Sequence, residues 1–305
     1  VVDEREPHPV GKHLLGAHVV GQRVVVRRRL RGRGPTGGPA LTDVLGTCLT
    51  WDDAERYCVI APEQGEPVRI PLGEIVSGKP VPPRPSTRLR VGAREAQERA
   101  GALFPRLRTT PLGPWTLRHD PASTSRRANS ALAFGPSGDV DPALVEELAA
   151  FYRERDLPPL AAVEVDAVEE ELLRGLGWVE HRPGTDAVLA LASVARAARA
   201  APSDLPPARI EPVDGLTVVR VGDDAVGNGV VDRDWLGIGG VSVAEPARGR
   251  GLGMAVVAAL LEWGAEQGAT TAYLQVQEGN EVARRLYAGL GFVDHHRYRY
   301  LTPRS

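Results

Sequence analysis

Residues Ser242–Gly264 read SVAEPARGRGLGMAVVAALLEWG. The stretch opens apolar, passes through two arginines interleaved with three glycines, and ends in an unbroken run of helix formers. A helix N-terminus leaves its first amides without intrahelical partners and carries partial positive charge. Glycines at 249, 251 and 253 let the backbone curl so that several N–H groups converge on one anion, and Arg248 and Arg250 add full charge. The pattern therefore predicts a pyrophosphate cradle on a buried helix. It is not a Walker loop, which needs Gly-Lys-Ser/Thr, and no lysine stands here. Its glycines fall as G-x-G-x-G and not as the G-x-G-x-x-G of a dinucleotide fold. The rest of the chain after Glu278 is too short for a second mononucleotide-binding half.

The motif reads most clearly in its surroundings. LTVVRV, AVGNGVV and WLGIGGVSV precede it as strands. TTAYLQV, the helix NEVARRLYAGLGF and the strand HHRYRYL follow. Strands alternating with helices predict a partly parallel sheet. The same order occurs once before, in RRANSALAFG, DPALVEELAAFYRERD with Asp141 as N-cap, LAAVEV, VEEELLRGLGW and DAVLALAS. VEEELLRGLGWVEH from Val168 and VARRLYAGLGFVDH from Val282 align without a gap. The two regions read as related halves. In the first, Leu173 stands where the second has Tyr287, Asp166 where it has Asn280, and FGPSGDV where it has the arginine–glycine loop. One half keeps a ligand site and the other keeps the scaffold.

Residues 1–85 differ in kind. QRVVVRRRL, ALTDVLGTCLTWDD, ERYCVIAPE and EPVRIPLGEIV are short strands with no helical period, which predicts a small all-β, SH3-like or Tudor-like barrel. KPVPPRPSTR then reads as a stiff proline-rich linker. Arg27, Arg29 and Arg31 fall on one strand face, read here as a solvated edge that discourages pairing. No aromatic residue interleaves with them, and the chain's formal charge is −2, so nucleic acid is not the expected partner. Cys48 and Cys58 face each other across a hairpin in this reading, so a disulfide is geometrically possible, but reduced, half-buried thiols are the expectation. VVDEREPHPV lacks the apolar core of a signal peptide and no apolar run suffices to span a membrane, so a cytoplasmic protein is expected. The expected domains are 1–85, 86–203 and 204–305.

VSVAEPARGRGLG resembles the acetyl-CoA signature of the GNAT superfamily of N-acetyltransferases, Arg/Gln-x-x-Gly-x-Gly/Ala, through Arg248, Gly251 and Gly253. A second family motif, an Asn before a helix that holds Tyr and closes in Gly-Phe, is matched by Asn280, Tyr287, Gly291 and Phe292. The close match covers about residues 206–305, and the first half resembles the same fold in degenerate form. The resemblance implies a mixed α+β sheet in tandem GNAT-like halves, acetyl-CoA as cosubstrate and a small-molecule amine as acceptor. It implies that the backbone of Val241 and Val243 pairs with the pantetheine arm. It implies that amides of Arg248, Gly249, Arg250, Gly251, Leu252 and Gly253 hold the pyrophosphate and that Asn280 bonds the pantetheine end. Tyr287 is implied to protonate the departing thiolate. No base stands out, and Glu278, Asp234 and His296 are the candidates. The second half lacks the family's first strand and its two helices, so the first half is expected to complete the acceptor pocket. His296, Tyr298 and Tyr300 are expected either to line that pocket or to pack in the core. Arg297 and Arg299 share the other strand face, and an arginine from this strand suits a carboxylate-bearing acceptor. The three-part layout resembles an actinobacterial group of GNAT proteins, some assigned as N-acetylglutamate synthases, which makes glutamate the first named acceptor. The alternative from another class is a non-catalytic acetyl-CoA sensor whose barrel contacts protein or nucleic acid.

Overall fold

The computed structural model describes residues 15–33, 39–62, 65–81, 87–135 and 140–304. The N-terminal decapeptide, residues 82–86 of the proline-rich linker and the centre of FGPSGDV lie outside them. The chain forms two compact units, Val1–Pro85 and Ser86–Ser305.

The first unit is an all-β sheet of β1 (Arg23–Arg33), β2 (Pro39–Asp52), β3 (Tyr57–Pro62), β4 (Val68–Pro71) and β5 (Ile75–Pro80). The order is β4-β3-β2-β1-β5, an antiparallel meander whose fifth strand returns to the first. Alternation places Val24 and Val26 in a core with Cys48, Cys58, Ile60 and Ile70, and leaves Arg27, Arg29 and Arg31 exposed. Two expectations are corrected. β1 is an interior strand with neighbours on both sides, so its arginines do not guard an edge; Arg27 instead forms a two-pronged pair with Asp43 of β2, with Nε 2.8 Å from Oδ1. The cysteines are free thiols but fully buried, and burial pushes Cys58 up to about 11, so it stays a thiol at neutral pH.

The second unit carries α1 (Ala93–Ala100), β6 (Arg108–Leu112), β7 (Trp115–His119), β8 (Ser130–Ala133), α2 (Pro142–Arg153), β9 (Ala161–Glu164), α3 (Val168–Gly175), β10 (Trp178–Glu180), β11 (Ala187–Ser193) and α4 (Val194–Ala200). It continues with β12 (Arg209–Val213), β13 (Leu216–Val221), β14 (Ala225–Asp232), β15 (Trp235–Val243), α5 (Leu252–Glu266), β16 (Thr271–Gln277), α6 (Glu281–Gly289) and β17 (Val293–Pro303). All twelve strands belong to one sheet, ordered β12-β13-β14-β15-β16-β11-β17-β9-β8-β7-β6, with β10 on the far part of β17.

That order shows a reciprocal exchange. β11 belongs to the first half by sequence, yet it lies between β16 and β17 of the second. β17 in turn pairs with β11 from Val293 to Tyr298, with β9 from Tyr298 to Leu301, and with β10 beyond. It therefore separates β9 from β10 in the first half. Each half closes its sheet with a strand of the other.

Two elements were not expected. β12 stands ahead of LTVVRV, so the second half does have a leading strand, joined to β13 by the tight turn Asp214–Gly215 in place of helices. The bare sheet face is covered instead by α1, which buries Ala96 and Ala100 against Leu189, Leu191, Trp235 and Tyr273. The Tyr273 hydroxyl donates to the Arg99 carbonyl at 3.1 Å and ties the helix end to β16. On the opposite face α5 buries Val256, Val257, Leu260 and Leu261. Gly227 and Gly229 let it lie close to β14, since a Cβ at Gly229 would come 2.6 Å from Leu260 Cδ2.

Candidate active site

The site forms where two parallel strands part. β15 and β16 pair over only four positions, from Trp235↔Thr271 to Ile238↔Leu274. Both strands run on, to Val243 and Gln277, without pairing. A bulge explains the divergence. Against β14, Val226 faces Ser242 while Asn228 faces Gly239, so β15 carries an extra residue there. Gly240 takes up the bend at φ 61°, a conformation that costs a side-chained residue strain. The stretch Gly239–Val243, with Val241 and Val243, thus has no strand partner on the β16 side.

The arginine–glycine loop leads from the end of β15 into α5. After a single 3-10 turn at Glu245–Ala247, Gly249 and Gly251 adopt φ 79° and 76°, and Gly251 is the N-cap. No side chain caps the helix and no acid lies in its first turn. Among the described residues, the amides of Gly249, Arg250, Gly251, Leu252, Gly253 and Met254 donate to no carbonyl outside the helix ladder, and the first of that ladder's bonds is Ala255 to Gly251 at 3.0 Å. A Cβ at Gly249 or Gly251 would meet nothing within 4 Å. The bend is therefore open and its nitrogens are free. Arg248 folds back so that Nε donates weakly to the Val243 carbonyl at 3.4 Å, and Arg250 lies 3.8 Å from the exposed Asp224 carboxylate. Exposed contacts of that kind contribute little and are easily exchanged for a better anion.

On the other side of the splay, Asn280 caps α6, its Oδ1 accepting the Ala283 amide at 3.1 Å. Tyr287 is half-buried, edge-on to Phe292 with ring centroids 5.8 Å apart, and its hydroxyl makes no hydrogen bond among the described residues. Burial raises the phenol's pKa, and the nearby Arg127 guanidinium restrains the rise. The phenol is thus held protonated, as a proton donor requires.

Of the three candidate bases, only Glu278 is at the open end of the splay, just past β16, where it accepts Arg297 Nη2 at 3.0 Å. Asp234 lies at the closed end, where Oδ2 accepts the Thr270 hydroxyl at 2.9 Å. His296 is buried in a side-chain chain. Gln275 donates to Gln97 Oε1 at 3.0 Å, and Gln97 donates to His296 Nε2 at 2.9 Å. The remaining ring proton of His296 then bridges to His295 Nδ1 at 2.7 Å, and His295 Nε2 donates to the Val91 carbonyl at 2.8 Å. Burial, with His295 beside it, pushes His296 down to about 3. Its nitrogens are occupied and its ring resists protonation, so it holds α1 on the sheet and does not take up a proton.

The rings of the β17 tyrosines pack in the core. Tyr298 and Tyr300 are buried with Leu132, Phe134, Leu160 and Ala162. Arg297 and Arg299 are not free to grip an acceptor. Arg299 pairs with Glu170 and Asp186 at 2.8 and 2.7 Å, and Arg297 with Glu278. Sequence reading passed over Arg127, on the loop before β8. Its Nε donates to Tyr298 Oη at 3.1 Å and its Nη2 to the Gln275 carbonyl at 3.4 Å, one residue beyond the last β15–β16 pair.

Comparisons with known proteins agree with this geometry. Residues 208–301 match the family model described as "Probable histone acetyltransferase Rv0428c C-terminal". Over 300 residues, 92% of this chain and 95% of the relative, the sequence is 29% identical to the "Probable histone acetyltransferase Rv0428c" of Mycobacterium tuberculosis. It is 38% identical over 77 residues, 25% of this chain and 31% of the relative, to the "Uncharacterized N-acetyltransferase YobR" of Bacillus subtilis. A GCN5-related N-acetyltransferase from Kribbella flavida shares the fold with TM-score 0.53 and 17% identity, over 70% of this chain and 96% of that one. The chain is thus similar to acetyltransferases in sequence, most clearly over residues 208–301, and shares its fold with a GCN5-related N-acetyltransferase.

Proposed function

We propose that the protein transfers the acetyl group of acetyl-CoA to the primary amine of a small molecule, with an amino acid such as glutamate the first acceptor to test. The observation that carries the reading is the set of unbonded amides from Gly249 to Met254 on an uncapped helix beside two parting strands. Such amides, with Arg248 and Arg250, suit a diphosphate. The free edge at Val241 and Val243 suits an extended amide-bearing arm, and Asn280, at the start of α6 just past the end of β16, is the residue to bond its far end. Acetyl-CoA supplies an activated thioester; the chain supplies position and protons. Tyr287 holds its proton on Oη, poised for a leaving thiolate, which departs poorly unless protonated. Glu278 is the remaining candidate to take the proton that an ammonium must lose before attack.

A second reading has a specific motive: the relative from M. tuberculosis is named a histone acetyltransferase, so a lysine side chain of a protein is the competing acceptor. Following thiol release from acetyl-CoA with amino acids in one series and a lysine-rich histone-tail peptide in the other separates the two. Release with amino acids alone supports the proposal, and release with the peptide alone replaces it. Tight acetyl-CoA binding without release with any amine would favour the sensor reading.

A further inference from the structure

Between the loop before β8 and the start of β11 lies a cavity of about 110 Å³, lined by Ser125, Arg126, Arg127, Thr185, Gln277 and Tyr300. We propose that this cavity is an anion subsite that holds the carboxylate of the acceptor, with Arg127 and Arg126, both from the half that has lost its own cradle, as its specificity-determining residues. The proposal rests on the acetyltransferase reading above and names the acceptor's class.

The charge pattern is the first support. Elsewhere in the same unit, Arg284, Arg297 and Arg299 each pair with a carboxylate, at 2.8, 3.0 and 2.7 Å. Among the described residues Arg126 and Arg127 pair with none, and no carboxylate lines the cavity. Arg127 is held by neutral oxygens only, Tyr298 Oη and the Gln275 carbonyl. Arg126 donates to Thr185 Oγ1 at 3.2 Å and lies over the Tyr300 ring at 4.7 Å. A guanidinium withdrawn from water without an anion is an incomplete pair, and its planar fork matches a carboxylate.

The second support is independent. Tyr300, 4% exposed, lines the cavity, and its hydroxyl is buried with no hydrogen-bond partner. Buried polar groups are almost always satisfied, so an orphan hydroxyl beside two unpaired cations indicates a missing acceptor atom.

The loop is also built to stay put. The Asn129 carboxamide accepts the Asp120 amide at 3.0 Å and donates to the Ser123 carbonyl at 2.6 Å, while Ser125 Oγ accepts the Arg127 amide at 3.2 Å. Binding therefore requires little ordering. The position fits the chemistry: Arg127 reaches the point where β16 leaves β15 and acts on the Tyr287 phenol. A short amino acid anchored there keeps its amine within a few bonds of the splay. Two guanidinium groups at the same place repel a cationic tail.

The test uses the full chain, acetyl-CoA and matched acceptors: glutamate, glycine and alanine, each against its α-carboxamide, plus a lysine-rich histone-tail peptide and phosphoethanolamine. We expect kcat/KM for the best free acid to exceed that of its carboxamide at least tenfold. Arg127→Gln should abolish that ratio through KM, with acetyl-CoA affinity within about twofold of wild type. Arg126→Gln should reduce it, and serves alone if the Arg127 variant melts early. Tyr300→Phe should raise the acid's KM a few-fold. Equal turnover of acid and carboxamide, a ratio that survives both arginine changes, or phosphoethanolamine as the best acceptor would overturn the carboxylate assignment. Thiol release with the histone peptide alone would overturn it as well. If no acceptor releases thiol, calorimetry with glutamate, glycine and alanine against the coenzyme A complex still decides the matter. Heat lost in Arg127→Gln sustains the subsite while the transfer reading fails, and no heat from any of the three sinks both.

Discussion

The two halves of the second unit begin their central helices in opposite ways. α5 starts at Gly251 in a left-handed turn, with no capping side chain and its first amides unbonded. α2 starts at Asp141, whose Oδ1 accepts the Leu144 amide at 2.8 Å, and Pro142 removes a further donor. Where one helix offers free N–H groups to an anion, the other supplies its own carboxylate. The second helices differ likewise: Leu173 is fully buried, whereas Tyr287 keeps its hydroxyl available. The first half thus has a side-chain cap and an apolar side chain where the second has the proposed anion site, and both stabilise the scaffold. The degenerate half remains necessary, because the exchange of β11 and β17 makes each half part of the other's sheet, and because its loop carries Arg127 to the splay.

The largest expected effect breaks the tandem. Residues 204–305 alone lack β11 and expose the edges of β16 and β17, so they should give no cooperative, monomeric fold, whereas 86–305 should unfold as one unit. Size-exclusion chromatography and thermal unfolding check both. A folded, acetyl-CoA-binding 204–305 fragment would show that the exchange is dispensable.

Next in size, Tyr287→Phe should lower kcat about 100-fold or more with unchanged acetyl-CoA affinity, the range for loss of a general acid. Lost affinity instead would make the tyrosine a packing residue like its counterpart Leu173.

The pH dependence of stability follows from His296. Its pKa in the folded chain, about 3, lies below the ordinary 6.5, so the unfolded chain binds the extra proton between these values. Its contribution is complete above about pH 6.5 and is lost as pH falls toward 3, on the order of a few kcal/mol. Melting temperature against pH should fall through that window, and His296→Gln should flatten the fall.

Two smaller changes interconvert the helix starts. Gly251→Asp puts a carboxylate at the proposed anion site and should weaken acetyl-CoA about tenfold or more, while Gly251→Asn, which tolerates the same left-handed backbone, should weaken it less. Calorimetry distinguishes them. Asp141→Ala should cost about 1 kcal/mol of stability and leave affinity unchanged.

The contrast between the halves also divides what could be read from sequence. The loop from Arg248 to Gly253, the Asp141 cap and the Asn280–Tyr287 helix are local: glycines at positive φ, caps and helical spacing leave marks within a few residues. The strand exchange leaves none, because a strand's neighbour is set by tertiary pairing, so HHRYRYL and DAVLALAS read as ordinary terminal strands. α1 is nearly as hard to read: AREAQERA is mostly charged, and only the fold shows its Arg99–Glu95 pair and the face that buries Ala96 and Gln97. Arg127 in SRRANS gives no signal at all. Its meaning comes from Tyr298, Tyr300 and Gln275, which lie about 150 to 170 residues further along the chain.

The most direct test of the cradle is residue-resolved. In a 15N-labelled, deuterated sample titrated with acetyl-CoA, the amides of Gly249, Arg250, Gly251, Leu252 and Gly253 should show the largest shifts, and those of Ala143, Leu144 and Val145 at the start of α2 should stay unmoved. Unshifted amides from 249 to 253 under saturating ligand would contradict the account, as would shifts of equal size at both helix starts.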